Sequence, residues 1–274
     1  MKHQRLRALT VTAIVVLLTG QYSHAENWSV TEAQLQNGDL KQTGTNGGDR
    51  DTTILTLQHA GGWKYGDNFF FADFLSFDKG DAGTSNGSEL YSEWYSNFSL
   101  GKITGREIKF GPIKDLGVIA GFNYAPEVDS WWFLPGVRFE LDLPGFAFAN
   151  LDITSYINQS NADDNATGFV IKDEGSSYMV DFNWAYPFKI GSTSWSLKGH
   201  AEYIDGRSQV NTFGEVELKS HILAQPQLRF DLGETLFNTP EKLYIGIEYQ
   251  YWKNKLGEDG LKDNTAQFLA VWRM

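Results

Sequence analysis

Two neighbouring stretches of the sequence alternate aromatic and acidic residues with a period of two. The residues that share one strand face in each stretch are Phe69, Phe71 and Asp73, and then Tyr91, Glu93 and Tyr95. Aromatic rings offer a flat base a stacking surface of roughly 1–3 kcal/mol each, and carboxylates accept hydrogen bonds from hydroxyl groups. This chemistry requires both faces to point into one cavity, and a register shift of one residue would turn them outward instead.

Signals for catalysis or metal binding are weak. Residues 83–87 read Gly-Thr-Ser-Asn-Gly and match the G-x-S-x-G pattern, but the stretch is polar and lacks the strand-to-helix turn that a serine nucleophile needs. No H-E-x-x-H zinc spacing occurs. The acidic stretch 161–165 lacks an ordered calcium-ligand pattern and is predicted to be a solvated loop. We therefore expect no enzyme activity, no cofactor and no metal.

Composition restricts the class of protein further. The chain has 274 residues, with 23 Lys and Arg against 34 Asp and Glu, and a formal net charge of −11. An acidic chain without a basic cluster is not expected to bind nucleic acid, because neutralising phosphates requires Lys and Arg. The absence of Cys excludes disulfides and thiolate metal sites. Aromatic residues make up 15% of the chain, which argues against disorder.

The first 25 residues have the pattern of a secretory signal peptide. A short basic start precedes an apolar run over 8–20 and a small-residue site that ends at Ala25. We expect cleavage after Ala25 and a mature domain over 26–274. The apolar run is too short to cross about 30 Å of hydrocarbon comfortably, and no later segment has about 18 consecutive apolar residues. A secreted or periplasmic globule and an outer-membrane barrel remain.

Apolar and polar residues alternate with a period of two through most of the mature chain. The runs cover 27–36, 52–61, 68–77, 89–100, 115–125, 131–142, 146–157, 178–187, 193–204, 221–231, 242–252 and 264–274. Soluble strands usually have about 5–6 residues, whereas tilted membrane-spanning strands have about 9–11. Aromatic residues such as Trp28 and Tyr156 recur near the run ends, as in interfacial girdles. A soluble sandwich also alternates, but run length and girdles favour an all-β, twelve-stranded antiparallel transmembrane β-barrel.

The connections between the runs support this architecture. If both chain ends lie in the periplasm, the odd-numbered connections face outside, and these are longer on the whole and rich in Asn, Asp, Gly and Ser. The short connection 126–130 and the longer one at 101–114 are exceptions. An even number of strands also fits a single-chain bacterial barrel, and closure removes the exposed edges of an open sheet.

Charged residues of both signs occur on the polar faces of these runs. Those predicted to point into the lumen and to form ion pairs are Arg138, Glu140, Lys198, Glu202, Arg229 and Glu248. Mixed signs on facing walls favour a structural role in bracing the lumen. The alternative is an ionisable ring that biases permeation.

Three segments resemble one known family in order and spacing. They are DNFFFAD at 67–73, ELYSEWYSNFSLGKIT at 89–104 and KFGPIKD at 109–115. They look like the aromatic-rich "YAD" strand, the fourth strand and the "FGP.K" periplasmic segment of the Tsx/OmpK-like nucleoside-specific channels of Gram-negative bacteria. The resemblance extends from about residue 63 to 157, and beyond that it lies mainly in strand rhythm. One departure is the ending Trp272-Arg273-Met274, where such barrels usually end in Phe.

The resemblance implies a monomeric, passive outer-membrane channel for nucleosides or deoxynucleosides. The two aromatic–acidic faces would then bind the substrate. Outer-membrane lipid, lipopolysaccharide and the outer-membrane assembly machinery are the implied partners. The alternative function is a structural barrel that acts mainly as a bacteriophage or colicin receptor, without nucleoside selectivity. An outer-membrane phospholipase is disfavoured because no segment resembles its Ser–His motif, and a general porin because a barrel this small leaves a narrow lumen.

Overall fold

A computed structural model describes residues 26–43, 48–78, 87–159, 163–164 and 169–274. The predicted signal peptide over 1–25 lies outside these residues. The structure is a closed antiparallel β-barrel with a small additional sheet. Because apolar and polar residues alternate through most of residues 26–274, the strands each have one apolar and one polar face.

The strands are β1 Glu26–Lys41, β2 Asp49–Trp63, β3 Gly66–Phe77, β4 Gly87–Ser99, β5 Ile113–Ala125, β6 Ser130–Leu141, β7 Phe148–Asn158, β8 Asp163–Asp164, β9 Phe169–Glu174, β10 Ser177–Ile190, β11 Thr193–Ile204, β12 Arg207–Asn211, β13 Gly214–Leu218, β14 His221–Ala224, β15 Gln227–Asp231, β16 Leu243–Lys253 and β17 Lys262–Arg273. Two short helices, α1 Leu100–Thr104 and α2 Leu232–Phe237, occupy turns. Neither of these helices is long and apolar enough to cross a membrane.

The barrel has twelve strand positions, as predicted. Strands β1 to β7 pair with one another in chain order. β7 then pairs with β10, and β10 pairs with β11. β14 and β15 together fill one position, because both pair with β11 on one side and β16 on the other. β17 pairs with β16 and with β1, which closes the barrel.

The remaining strands form a separate sheet in the order β13-β12-β9-β8, which we call the loop sheet. It lies within the long connections that follow β7 and β11. Long connections are extracellular in such barrels, so we call this the extracellular end and the opposite one, where β1 begins, the periplasmic end. Within the loop sheet, Arg207 of β12 forms an ion pair with Glu174 of β9, with 2.5 Å between Nε and Oε1.

In the barrel wall the apolar side chains point outward and the polar side chains point inward, which is the reverse of a soluble protein. Large apolar side chains on the outer face are exposed, and five of them are between 40% and 55% exposed: Trp94, Phe122, Phe133, Ile247 and Phe268. Many polar side chains on the inner face are buried, and four of them are at most 1% exposed: Glu32, Asn97, Arg229 and Gln267. The register therefore directs the apolar face to lipid and the polar face to the lumen.

Two predicted girdle residues lie inside the barrel instead. Tyr156 is only 6% exposed and stacks on Trp132 with ring centroids 5.6 Å apart. Its position differs from that of Asp152, an inward residue, by an even number, so the alternation of β7 turns it inward. Trp28 also lines the lumen, because its position on β1 differs from that of the inward residue Glu32 by an even number. Their proximity to strand ends indicated a girdle, but the alternation of side chains along each strand decides whether a residue points to lipid or to the lumen.

The predicted run 221–231 is interrupted between β14 and β15. Pro226 has no N–H to donate to a ladder, and Gln225 donates its backbone N–H to the carbonyl oxygen of His200 at 3.0 Å. The backbone approaches Gly199 so closely that a Cβ there would lie 2.4 Å from the oxygen of Gln225. A glycine is therefore needed opposite this break.

The lipid-facing register predicts a depth-dependent effect of charge on β17. Phe268 and Asn264 share the outer face, but Phe268 lies within the apolar stretch and Asn264 lies near the extracellular end. Phe268→Arg should lower the free energy of unfolding in lipid bilayers by about 2–4 kcal/mol, and Asn264→Arg by about 0–1 kcal/mol. Denaturant titration of the refolded barrels measures both. Equal losses for the two variants would contradict the register.

The close approach at Gly199 predicts a second stability difference. Gly199→Ala should destabilise the barrel by about 1–3 kcal/mol, because the new methyl group overlaps the backbone of Gln225. Gly175→Ala is the matched control, since its Cβ would come no nearer than 3.4 Å to another atom. The same denaturant titration compares the stabilities of the two variants. If the Gly199→Ala barrel were as stable as the control, the backbone between β14 and β15 would be able to shift away from the new methyl group.

Candidate functional site

A cavity of about 570 Å³ lies inside the barrel. This volume falls within the range of about 300–1,000 Å³ that is usual for small-molecule sites. Its ionisable lining residues are Asp67, Asp73, Glu93, Lys102, Lys114, Arg138, Glu140, Asp152, Asp181, Lys198, His200, Glu202, Arg229 and Glu248. Its aromatic lining residues are Trp28, Phe69, Phe71, Tyr95, Phe148 and Trp184. The cavity can thus offer both ring surfaces and hydrogen-bonding groups.

The cavity reaches the periplasmic end of the barrel. Its lining includes Trp28 near the start of β1 and Lys114 near the start of β5, both periplasmic. On the extracellular side the barrel interior contains a buried apolar cluster formed by Leu134, Tyr156, Met179 and Ile204. Arg207 of the loop sheet lies over the Tyr156 ring at 5.2 Å. This cluster narrows the lumen along the wall from β6 to β11.

Five of the six residues predicted to bind substrate line the cavity: Phe69, Phe71, Asp73, Glu93 and Tyr95. β3 and β4 are adjacent strands, and their register sets Phe71 opposite Glu93 and Asp73 opposite Tyr91. The rings of Phe69 and Phe71 lie 6.0 Å apart and are tilted by 49°. The two predicted faces are therefore one continuous patch of wall.

Tyr91 does not belong to the cavity lining and lies beside Glu93 on the same face of β4, two residues nearer the extracellular end. Its ring packs against Phe71 with centroids 6.1 Å apart, and its hydroxyl donates to Oε1 of Glu93 at 2.6 Å. The prediction of Tyr91 as a stacking surface is thus not matched by its position. The alternation of β4 put Tyr91 on the correct face, but the sequence could not show which members of that face other side chains would cover.

The carboxylates of this patch face further acidic groups across the lumen. Asp73 accepts a hydrogen bond from the hydroxyl of Thr56 at 2.6 Å. Asp181 of β10 and Glu202 of β11 line the same cavity and are close enough to Glu93 to interact electrostatically. Among the lining residues, His200 is the neighbour that offers Glu93 an opposing charge when protonated. Asp181 was missed from the sequence, although its two-residue spacing from Asn183 would have indicated a polar face.

The predicted lumen cations Arg138, Lys198 and Arg229 form ion pairs with Asp152, Asp67 and Glu32. Arg138 donates to both oxygens of Asp152, at 2.8 and 2.6 Å, and to Asp67 at 2.9 Å. Arg229 and Lys198 both reach Oε2 of Glu32, at 3.0 and 3.4 Å. A two-oxygen contact of this kind is a strong geometry for arginine and a carboxylate.

Within the described ranges, the structure shows no salt bridge for the three acids that were predicted to take part in the lumen ion pairs, Glu140, Glu202 and Glu248. Glu140 accepts a 3.3 Å hydrogen bond from Asn97, and Glu248 accepts from Gln227 at 2.5 Å and Gln267 at 3.0 Å. Alternation predicts which way a side chain points, but the stagger between strands sets which charges meet.

Of the acids that form these ion pairs, Glu32 could have been recognised from spacing. Glu32 is followed at two-residue intervals by Gln34 and Gln36, which is a polar face of the first run. Glu32 is fully buried, and Oε1 accepts hydrogen bonds from Nε and Nη2 of Arg273 at 3.1 and 3.0 Å. Cations from β11, β15 and β17 therefore converge on one carboxylate of β1.

Two solved structures are similar to this chain at low sequence identity. The NanC porin is 13% identical with a TM-score of 0.47, and the match covers 88% of this chain and all of that one. The translocator domain of autotransporter NalP from Neisseria meningitidis is 9% identical with a TM-score of 0.43, over 98% of this chain and 95% of that one. No curated protein matches the sequence closely enough to count as a relative.

The sequence itself matches a family model over residues 26–272, nearly all of the barrel. That family is described as the nucleoside-specific channel-forming protein, Tsx. The match agrees with the closed twelve-position barrel, the lipid-facing apolar surface and the polar internal cavity described above. The chain therefore belongs to the Tsx family of nucleoside-specific channel-forming proteins, and it is a non-enzymatic outer-membrane channel.

Proposed function

We propose that this channel is selective for nucleosides, which cross it passively from the extracellular medium to the periplasm. The observation that carries the proposal is the continuous patch on β3 and β4, where Phe69 and Phe71 adjoin Asp73 and Glu93 on the wall of the cavity. Membership of the Tsx family supports the same substrate class.

The patch matches the two chemical parts of a nucleoside. Phenylalanine rings offer stacking surface to any base, because every base has an aromatic face. An ionised carboxylate is only an acceptor, so Asp73 and Glu93 suit the hydroxyl groups of a ribose, which can donate. A sugar without a base lacks the first interaction, and a free carboxylate or phosphate would meet like charge at the second.

The cavity size agrees with a single-file mechanism. About 570 Å³ is enough for one small molecule with water, in contrast to the open aqueous channel of a porin with 16–18 strands. A nucleoside that rests on the patch would block ion flow for as long as it stays. Occupancy should therefore saturate with concentration.

Stacking on Phe71 predicts a measurable change in this block. In planar-bilayer recordings, nucleosides should interrupt the ion current of the wild-type channel in a saturable way. Phe71→Ala should weaken the block by about 1–3 kcal/mol, roughly 5- to 150-fold, because one ring surface is lost. Phe70→Ala is the control, since Phe70 stacks on the exposed Trp94 of the outer face.

Two results would count against this mechanism. One is an unchanged block in Phe71→Ala, and the other is an equal loss in Phe70→Ala. Sucrose serves as the permeant control, because it has hydroxyl groups but no base, and it should interrupt the wild-type current little.

We expect Glu93→Gln to weaken the nucleoside block less than Phe71→Ala does. The amide oxygen can still accept a hydrogen bond from a hydroxyl group, but the negative charge that strengthens that bond is gone. Recordings with one nucleoside and both variants give the order directly. A larger loss for Glu93→Gln would mean that charge, and not stacking, dominates recognition.

A further inference from the structure

The strand next to the binding patch, β5, has two glycines and an asparagine at inward positions, together with Ile119. Gly117, Gly121 and Asn123 occupy inward positions on β5, directly beside the inward residues of β4. A Cβ at Gly121 would lie 2.7 Å from the ring of Tyr95 and 2.9 Å from Cβ of Leu134. The side chain of Tyr95 therefore lies across β5, in space that a larger residue would fill.

Asn123 is the polar member of this strand and contacts three residues of β4. It is 2% exposed and lies directly opposite Glu93 in the strand register. Its Nδ2 donates to Oε1 of Glu93 at 3.0 Å and to the hydroxyl oxygen of Tyr91 at 3.1 Å. Its Oδ1 accepts from the hydroxyl of Tyr95 at 3.2 Å.

The directions of these hydrogen bonds form one consistent network. Tyr91 donates its hydroxyl hydrogen to Glu93, so its oxygen is left to accept from Asn123. Both hydrogens of the Asn123 amide are used, and its oxygen is used by Tyr95. An amide supplies donors and an acceptor on one short side chain, which neither a hydroxyl nor a carboxylate does in this arrangement.

Asn123 itself does not line the cavity, whereas Glu93 and Tyr95 do. We propose that Asn123 is a positioning residue for recognition, which holds the Glu93 carboxylate and the Tyr95 ring in place on the cavity wall without touching the permeant. The inference rests on the proposed function for the identity of that permeant. Buried networks in which every polar group is satisfied give a wall a single arrangement, and a site depends on the residues that support it.

Asn123→Ala should weaken the nucleoside block on the order of tenfold, equivalent to about 1.4 kcal/mol. Removal of the amide leaves Glu93 and Tyr95 free to adopt other rotamers. Asn97→Ala is the matched control: Asn97 is equally buried on β4 and donates to Asp67 at 2.8 Å, away from the patch. Its block should stay within about twofold of wild type. A block in Asn123→Ala that is as strong as in this control would overturn the proposal.

A double-mutant cycle separates positioning from a general loss of structure. The Glu93→Ala/Tyr95→Phe background lacks the carboxylate and the hydroxyl group through which Asn123 holds the two cavity-lining residues. Adding Asn123→Ala to it should therefore change the block by less than about twofold. The same tenfold loss in both backgrounds would show that Asn123 acts otherwise. Asn123→Asp gives a second route if the alanine variant folds poorly. It keeps an acceptor for Tyr95 but turns a carboxylate oxygen toward Glu93, and it should weaken the block similarly.

A crystal structure of the Asn123→Ala or Asn123→Asp barrel tests the positioning without any nucleoside. Glu93 and Tyr95 should leave their wild-type positions, and unchanged positions would overturn the inference. If instead the wild-type channel shows no nucleoside block, the proposed function fails. The structure of the variant then still decides whether Asn123 fixes the wall.

Discussion

A strand edge inside a bilayer has no water to satisfy its backbone groups, so the first and last strands of this chain have to pair. The pairing of β1 with β17 meets this constraint, with Glu32 opposite Arg273 at its periplasmic end. Glu32 is fully buried and receives Arg273 and Arg229 as ionic partners. Loss of one partner of a buried ion pair typically costs about 3–5 kcal/mol. Closure of the barrel and neutralisation of its interior charge therefore depend on the same residues.

The ion pairs are not distributed evenly along the lumen. The networks around Arg138 and around Glu32 lie toward the periplasmic ends of their strands. Carboxylates without a salt bridge in the described ranges, such as Glu93 and Glu202, also line the cavity. Ion pairs thus brace one part of the wall, while the other part keeps acceptor groups available to molecules that carry hydrogen-bond donors.

The shape of the binding wall follows from pairs of neighbouring strands. The Tyr95 side chain of β4 lies over β5 because Gly121 leaves room: a Cβ at Gly121 would lie 2.7 Å from the Tyr95 ring. Asn123 then fixes the polar ends of Glu93 and Tyr95. Because protein interiors are close-packed, the position of one residue on the wall depends on the volume of its neighbour on the next strand. Recognition by β4 cannot be understood without β5.

Much of the architecture was determined by the sequence alone. Period-two alternation over twelve long runs predicted the barrel, because lipid outside and water inside demand opposite faces on every strand. The same alternation put Phe71 and Glu93 on inward faces. Only the tertiary structure decided that Arg138 pairs with Asp152, that Tyr91 donates to Glu93 and does not line the cavity, and that Tyr156 is buried. Alternation is a property of one strand, whereas pairing and coverage depend on the stagger between strands and on side-chain volumes, which meet only when the barrel closes.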